Sequence, residues 1–221
     1  MQPVIILNFK NYRQVAGERG ILLATEAVEL ANKTNTQIFI APQLIDTSLF
    51  SAKGLKVFAQ HADSVSNERS TGKVTLSNLK QAGVVGTLVN HSEYPQSAQD
   101  VREIVEGAAR LGIKTCVCTP DLDTLSILEG LEPDFVAYEP PELIGGNISV
   151  SKARPEILTR FFGLLDNFSP SSIKLCGAGI KTSEDVKAAK LLGAQGVLIS
   201  SGVVLAETPS SALLSVIDGF F

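Results

Sequence analysis

The sequence predicts a single α/β domain, a closed (β/α)8 barrel that takes up residues 1–221. Short apolar runs rich in β-branched residues alternate along the chain with longer segments of helical periodicity. The runs are almost continuously apolar, which is typical of parallel strands that are covered on both faces. Eight such units leave about 28 residues for each, which is close to the size of a minimal βα repeat.

The predicted strands follow one another closely, and no segment between them has the composition of a linker. They are Val4–Phe9, Gln37–Ala41, Lys56–Ala59, Val84–Val89, Lys114–Cys118, Phe135–Tyr138, Ile173–Leu175 and Gly196–Ile199. An open doubly wound sheet remains an alternative, because periodicity does not determine whether a sheet closes. We favour the barrel because the alternation reaches eight units.

Helices are predicted where apolar residues recur every three or four positions. These stripes are Ile21, Thr25, Val28 and Ala31; Val101, Ile104, Val105, Ala108 and Leu111; and Val186, Ala189 and Leu192. Gly112 is expected to end the second helix, and the last helix is expected over Ser210–Ile217. The helical turns around Asp121–Gly130 are expected to be short.

Composition argues against several classes of function. The net charge is −4 and no basic cluster occurs, so we expect no nucleic-acid partner. No apolar run approaches the ~20 residues that cross a bilayer, so we expect no membrane association. The three cysteines predict buried free thiols in a reducing, cytoplasmic setting. Cys116 and Cys118 are expected to face opposite sides of a strand.

In a barrel, the residues that directly follow the strands build the site. Asn8 and Lys10 follow the first run, and Lys10 is the one lysine expected at a strand end inside the barrel. His91 follows the fourth run and is a candidate acid, base or electrophile. Glu139 ends the sixth run, where burial would raise its basicity. Each residue alone also fits an ordinary role, such as a solvated lysine or a capping histidine.

Loops after three of the strands carry further signals. The prolines at 140 and 141, followed by the glycines at 145 and 146, predict a stiff segment with a flexible exit, which is typical of a hinged lid. Gly177–Gly179 and Ser200–Gly202 follow the seventh and eighth runs, where backbone N–H groups of barrel enzymes often bind phosphate. Glu93 is a candidate ion-pair partner of Lys10. No residue near His61 in the sequence suggests a catalytic role for it.

Taken in order, these motifs resemble the site of the triosephosphate isomerase family. The matching segments are Asn8-Phe9-Lys10, Asn90-His91-Ser92-Glu93, Glu139-Pro140, Gly177–Gly179 and Ser201-Gly202. The resemblance runs from Val4 to the last helix. The short chain, EPPELIG at Glu139–Gly145 and CGAGI at Cys176–Ile180 resemble the archaeal branch in particular. The lid exit at Gly146-Asn147 departs from the Thr-Gly usual in the family.

The resemblance implies a TIM-barrel isomerase of glycolysis and gluconeogenesis that interconverts D-glyceraldehyde 3-phosphate and dihydroxyacetone phosphate through an enediolate. It implies Glu139 as the base, His91 as a neutral electrophile, and Lys10 with Asn8 as the groups that hold the substrate. The other substrate-binding residues that it implies are Phe9, Ile144, Gly145, Gly179, Ser200, Ser201 and Gly202. It also implies a cytoplasmic homotetramer that needs no cofactor and no metal.

Two alternatives remain open. Another phosphate-binding barrel, such as an epimerase or an aldolase, would need a metal-binding His/Asp set or a Schiff-base lysine. A non-enzymatic triose-phosphate binder would be expected to lose Glu139 or His91.

The helix after His91 is expected to open at Pro95–Asp100, where its positive end would disfavour an imidazolium.

Overall fold

The computed structural model describes residues 2–65, 69–140, 143 and 149–221. Each of the eight predicted runs contains a strand, with bounds that differ from the prediction by at most two residues. The strands are β1 Val4–Asn8, β2 Gln37–Ala41, β3 Phe58–Ala59, β4 Gly86–Val89, β5 Lys114–Thr119, β6 Phe135–Tyr138, β7 Ile173–Cys176 and β8 Gly196–Ile199.

The strands form one parallel sheet that closes on itself. Their order is β2-β1-β8-β7-β6-β5-β4-β3, so β2 and β3 stand at the two ends of the order. A parallel bridge between Ile40 and Val57 joins these ends, and the Ile40 N–H donates to the Lys56 carbonyl at 3.0 Å. An open sheet would leave both ends unpaired. The predicted (β/α)8 barrel is therefore confirmed.

Helices surround the barrel in the described residues. They are α1 Glu18–Thr34, α2 Thr47–Ala52, α3 Leu76–Gln81, α4 Ala98–Leu111, α5 Val150–Ala153, α6 Pro155–Phe168, α7 Ser183–Leu191, α8 Ser201–Val204 and α9 Pro209–Asp218. Only a 3-10 segment, Asp123–Leu128, is found between β5 and β6, as the short turns predicted. No helix in the described part of the chain is long and apolar enough to span a membrane.

Helix α4 shows how the sequence sets its ends. Ser97 accepts a hydrogen bond from the Asp100 N–H, and the Asp100 side chain accepts one from Ser97, so the first turn is capped in both directions. Gly112 ends the helix with φ 65°, a conformation that glycine adopts readily. The buried face contains four of the five predicted residues, whereas Leu111 is 37% exposed.

The face predicted for α1 is partly confirmed, because Ile21, Val28 and Ala31 are half-buried and pack against the core. The helix buries Gly20, Leu23, Ala24 and Ala27, while Thr25 is exposed. A Cβ atom added at Gly20 would lie 2.2 Å from the Val15 carbonyl oxygen. Helix α1 therefore packs too closely on the backbone at Val15 to accommodate a larger residue at this position. Small residues therefore make the closest contact, and the predicted stripe of larger residues lies beside it.

The barrel interior is filled by inward-facing side chains of alternate strand positions. Phe39, Phe58 and Phe135 pack together there, with ring centroids 4.7–6.0 Å apart. Cys116 and Cys118 both belong to this interior cluster, because residues two apart share one face of a strand. The expectation that they face opposite sides is wrong, but the three cysteines are buried and free, as predicted.

Candidate active site

A cavity of about 440 Å³ opens at the carboxyl ends of the strands. Asn8, Lys10, His91 and Glu139 line one part of it, so the structure brings together all four predicted catalytic residues. The predicted anion-binding residues Gly179, Ser200, Ser201 and Gly202 also line this cavity. Ile144 and Gly145, together with most of the predicted lid, lie outside the described residues.

Phe9 lies elsewhere. Its side chain is fully buried in the layer between strands and helices, where its ring meets Phe50 edge-on at 6.0 Å. Asn8 ends β1 with its side chain facing inward, so the next residue faces outward. The Phe9 side chain does not line the cavity, and any contact of this residue with a substrate would have to come from its backbone.

The Glu139 carboxylate is the most unusual group in the cavity. The residue is 3% exposed, and its Oε2 atom has no hydrogen-bond partner among the described residues. Burial raises the pKa of Glu139, while the His91 ring, the Cys118 thiol and the Lys10 ammonium act in the opposite direction. A carboxylate with a raised pKa and a vacant oxygen is a stronger base than a solvated one.

His91 faces Glu139 in a defined tautomer. The Glu93 N–H donates to His91 Nδ1 at 3.1 Å, which leaves the ring proton on Nε2. Nε2 lies 3.7 Å from Glu139 Oε1, so this N–H is on the side of the base. In this arrangement the ring can donate a hydrogen bond from Nε2 toward the cavity.

The hydrogen bond to the His91 ring comes from a turn, and helix α4 follows that turn. The amide that bonds the ring belongs to the turn at residues 91–94, which the Tyr94 N–H closes on the His91 carbonyl at 2.7 Å. Helix α4 begins at Ala98, within the Pro95–Asp100 segment predicted from the sequence. The effect of its positive end on the ring stays a prediction.

Lys10 is held by three neighbouring groups. Its φ of 45° is unusual for a residue with a side chain. Asn8 Oδ1 accepts from the Lys10 N–H at 2.9 Å, and Gln60 Nε2 donates to the Lys10 carbonyl at 2.9 Å. The Lys10 ammonium pairs with Glu93 Oε1 at 2.7 Å, which confirms the ion pair considered from the sequence.

The loop that carries His91 is closed by an exchange of hydrogen bonds between two amides. Asn90, with φ 57°, accepts from the Gln96 N–H at 2.9 Å and donates from its own N–H to Gln96 Oε1 at 2.7 Å. Asn90 Nδ2 also donates to the Cys118 carbonyl at 3.0 Å. Because these bonds tie residues 90–96 to β5, His91 sits on a rigid turn.

Another part of the cavity lining is formed by the turns after β7 and β8. Gly179 has φ 71°, and Ser200 Oγ is buried without a hydrogen-bond partner in the described residues. A Cβ atom added at Gly202 would lie 3.0 Å from the Ile180 carbonyl oxygen, so the two turns nearly touch. Glycine at 202 therefore permits a narrow wall built largely of backbone, as an anion site requires.

Sequence reasoning missed several residues of the site. Gln60 supports Lys10, Cys118 lies beside Glu139, and Lys181 lines the cavity together with Lys10. Lys181 lies five residues after β7 and not at a strand end, so the expectation for Lys10 stands, but the cavity lining contains a second lysine. Strand alternation from Cys116 would have placed Cys118 in the interior, whereas the turn that carries Lys181 has no periodicity to reveal its direction.

Gly177 sets the position of the base. A Cβ atom added there would lie 2.3 Å from Glu139 Cγ, a separation that real contacts do not reach. We expect Gly177→Ala to displace the Glu139 carboxylate by about 1 Å and to lower kcat by about a hundredfold. Gly163→Ala is a matched control, since an added Cβ there has no atom within 4 Å. Steady-state kinetics that show equal kcat for the two variants would contradict this role of Gly177.

The other histidine lies outside this cavity. His61 stacks on Tyr94 with ring centroids 4.5 Å apart, and its Nε2 is 3.6 Å from Asp63 Oδ2. Both rings line a neighbouring cleft that also contains Gln60 and Leu44. His61 therefore does not face Glu139. This agrees with the sequence analysis, in which no neighbour of His61 suggested a catalytic role.

Comparison with known proteins identifies relatives over the whole barrel. The family model described as triosephosphate isomerase matches residues 3–218. The chain is 42% identical to the triosephosphate isomerase of Methanobacterium bryantii over 217 residues, which cover 98% of this chain and 96% of the relative. It is 41% identical to that of Methanothermobacter thermautotrophicus, with 98% and 95% covered, and 38% identical to that of Methanocaldococcus jannaschii, with 97% and 98% covered.

Proposed function

Because the chain belongs to the triosephosphate isomerase family, in its archaeal branch, and is an isomerase of D-glyceraldehyde 3-phosphate and dihydroxyacetone phosphate, we propose that Glu139, His91 and Lys10 carry its reaction. The observation that supports this most is the buried Glu139 carboxylate, one oxygen of which has no hydrogen-bond partner among the described residues, beside the Nε2 atom of His91. The glycolytic role follows from the family.

In this proposal Glu139 moves one proton between two adjacent carbons. The carboxylate takes a proton from the carbon beside the carbonyl group, and the electron pair of the broken C–H bond forms the enediolate. The resulting carboxylic acid then returns the proton to the neighbouring carbon, while the hydroxyl proton of the substrate moves from one of its two oxygens to the other. The carboxylate is thereby regenerated, and no electron acceptor is needed. The raised pKa of Glu139 suits this double role, because the group must accept and release a proton at similar cost.

The negative charge of the enediolate needs donors that are already oriented. His91 Nε2 is placed on the Glu139 side of the cavity. Lys10 also lines the cavity, and its backbone is fixed by Asn8 and Gln60. Such preorganised donors stabilise developing charge because they need not reorient during the reaction. We assign His91 to the carbonyl oxygen, and Lys10 with Asn8 to the charge of the bound substrate.

The phosphate group is assigned to the lining formed by the turns after β7 and β8. Gly179, Ser200, Ser201 and Gly202 belong to this lining, and Ser200 Oγ, which has no hydrogen-bond partner in the described residues, can donate to a phosphate oxygen. The contributions of Ile144 and Gly145, and closure of the predicted lid at residues 140–146, remain predictions from the sequence.

The proposed activity is tested with purified protein and D-glyceraldehyde 3-phosphate in an assay coupled to reduction of dihydroxyacetone phosphate. We expect turnover without an added cofactor or metal. Borohydride trapping distinguishes the aldolase alternative, because a Schiff-base lysine would become covalently labelled and an isomerase would not. Labelling of Lys10 by the substrate, or no turnover at all, would reject the proposal.

We further propose a cytoplasmic homotetramer, as the archaeal resemblance implies. Several large apolar side chains are exposed on the single chain, among them Ile45 at 87% and Leu191 at 86%. The charged fraction of 19% is also low for a surface that faces only water. Light scattering at micromolar concentration is expected to give about four times the chain mass of 23.5 kDa. A monomer mass would contradict the proposal.

A further inference from the structure

We propose that Asp185 is a positioning residue of the phosphate site, which fixes the turn after β7 and thereby sets how tightly the phosphate group is held. The inference rests on the proposed function, since it takes residues 177–181 as part of the phosphate-binding lining. Apart from Glu139, Asp185 is the one carboxylate that is buried among the described residues, with 6% exposure. Unlike Glu139, it does not line the cavity, so its burial calls for a role outside the reaction itself.

One oxygen of the Asp185 carboxylate holds the end of this turn. Asp185 Oδ2 accepts from the Lys181 N–H at 3.1 Å, and from the N–H and the hydroxyl of Thr182, both at 3.0 Å. The start of the turn is fixed separately, because the Gly177 N–H donates to the carbonyl at the end of β6 at 3.0 Å. Between these two anchors lies Gly179, which lines the cavity with a positive φ of 71°. Loss of Asp185 would therefore release one end of a turn that lines the cavity.

The rest of Asp185 joins the turn to residues 149–152. Its Oδ1 atom accepts from the Ser149 hydroxyl at 3.1 Å and pairs with the Lys152 ammonium at 2.7 Å. Its backbone carbonyl accepts from the Ser151 hydroxyl at 3.1 Å. The Val150 N–H also donates directly to a carbonyl of the turn at 3.1 Å. Residues 149–152 thus support the turn from behind, and Asp185 is the residue that contacts both.

The charge of Asp185 is maintained by these partners. Burial alone would raise the pKa of this carboxyl group, but the Lys152 ammonium and the N–H groups of Lys181 and Thr182 hold the pKa below its usual value. Asp185 is therefore ionised at neutral pH, and both of its oxygens act only as acceptors. Neither oxygen can turn away without leaving several buried donors unpaired, which is costly.

The position of this turn matters because the phosphate is assigned to two turns at once. A Cβ atom added at Gly202 would lie 3.0 Å from the Ile180 carbonyl oxygen, so the turn after β7 directly contacts the turn after β8. Donors hold an anion well only where their positions are fixed in advance. A shift of the turn that Asp185 anchors would change the spacing of the two turns and weaken binding of the phosphate.

The chain offers a matched control for the helix-capping part of this role. Helices α4 and α7 begin with the same capping box, formed by Ser97 with Asp100 in α4 and by Thr182 with Asp185 in α7. Asp100 does not line the cavity, so Asp100→Ala removes the same kind of cap away from the proposed phosphate site. An effect on phosphate that is confined to Asp185 variants cannot be explained by a weaker helix.

The test measures the inhibition constant of inorganic phosphate and kcat/KM for D-glyceraldehyde 3-phosphate in the unaltered protein, Asp185→Ala, Asp185→Asn and Asp100→Ala. We expect Asp185→Ala to raise the inhibition constant and to lower kcat/KM, each about tenfold. Asp185→Asn should change both about threefold, because its amide oxygen can still accept from the turn while the contacts with Ser149 and Lys152 weaken. Asp100→Ala should stay within about twofold of the unaltered protein.

D-glyceraldehyde, which lacks the phosphate, separates a displaced phosphate site from a general loss of structure. Its kcat/KM should be the same in Asp185→Ala and in the unaltered protein, and a parallel loss with both substrates would overturn the inference. An equal rise of the inhibition constant in Asp100→Ala would overturn it too. If Asp185→Ala does not fold, Asp185→Asn decides, and an unchanged inhibition constant in that variant would overturn the inference.

Binding of inorganic phosphate is also followed by phosphorus NMR, which needs no turnover. If the unaltered protein binds phosphate but does not isomerise triose phosphates, weaker binding by Asp185→Asn supports the role of Asp185, and the proposed function alone fails. If the protein isomerises its substrate but all variants bind phosphate equally, the role of Asp185 fails and the proposed function stands.

Discussion

Replacing Glu139 by glutamine is expected to lower kcat about a thousandfold while the barrel stays folded, because the change keeps the shape of the side chain and removes the base. Glu139→Asp keeps the charge but retracts it by about 1 Å, for which we expect a loss of about a hundredfold. Steady-state kinetics of both variants measure these losses, and circular dichroism checks the fold. Activity of Glu139→Gln within about tenfold of the unaltered protein would remove Glu139 from the mechanism.

The environment of Glu139 also predicts the pH dependence of the enzyme. Burial raises the pKa of this carboxyl group in the folded state. As the pH falls, kcat/KM should therefore drop through a pKa above the usual range for glutamate. The informative measurement is the full pH profile of kcat/KM for the unaltered protein. A Gln60→Glu variant would not test this point, because it adds a second carboxylate near Lys10. An acidic limb at the usual glutamate value would contradict the desolvated base.

The same shift has a consequence for stability. The folded state binds the Glu139 proton more tightly than the unfolded chain does, so the stabilising contribution is fully present below the unfolded pKa. It is lost as the pH rises through the folded pKa, and at neutral pH the ionised group opposes folding. Glu139→Gln removes this cost. Urea unfolding at neutral pH should therefore show the inactive variant to be at least as stable as the unaltered protein.

The second large effect is expected for the two groups that face the developing negative charge. His91→Ala should lower kcat by a factor of about a hundred to a thousand with little change in KM, because the Nε2 donor acts mainly on the enediolate. Lys10→Ala should lower kcat by a similar factor and also raise KM, because the ammonium interacts with the substrate before reaction. Near-normal rates in either variant would exclude that residue from catalysis.

A comparison of Lys10→Ala with a change in a neighbouring residue separates the effect of the Lys10 charge from the effect of its position. Gln60→Ala keeps the Lys10 side chain and removes the amide that donates to its carbonyl. Since the Lys10 backbone has an unusual positive φ, loss of this bond should loosen it and lower activity, but less than Lys10→Ala does. An effect of Gln60→Ala equal to that of Lys10→Ala would indicate that the position of Lys10 accounts for its whole contribution.

Much of the fold could be predicted because parallel strands covered on both faces have a clear signature in sequence. The runs that begin at Val4 and Gly196 are such strands, and the catalytic groups at Asn8, His91 and Glu139 lie at the end of such a run or just after it. The closing contact between Ile40 and Val57 could not be predicted, because it depends on where the two ends of the sheet meet in space.

Other features depend on close approach, which sequence patterns do not reveal. The most buried face of α1 includes Gly20, which approaches the Val15 carbonyl closely, so the predicted stripe of apolar residues lies at the edge of that face. Phe9 belongs to a matching motif but faces the outer layer of the core. Lys181 reaches the cavity through an irregular turn anchored by Asp185. Such turns lack the periodicity of a strand or helix, so the direction of a side chain cannot be predicted from the sequence.

The central claim is that Glu139 carries the proton between the two substrate carbons, and isotope exchange tests it most directly. Dihydroxyacetone phosphate is incubated in D₂O with the unaltered protein or with Glu139→Gln, and deuterium at the carbon beside the carbonyl is followed by proton NMR. We expect the unaltered protein to incorporate deuterium during isomerisation and Glu139→Gln to do so about a thousandfold more slowly. Equal rates of incorporation by the two proteins would show that another group abstracts the proton.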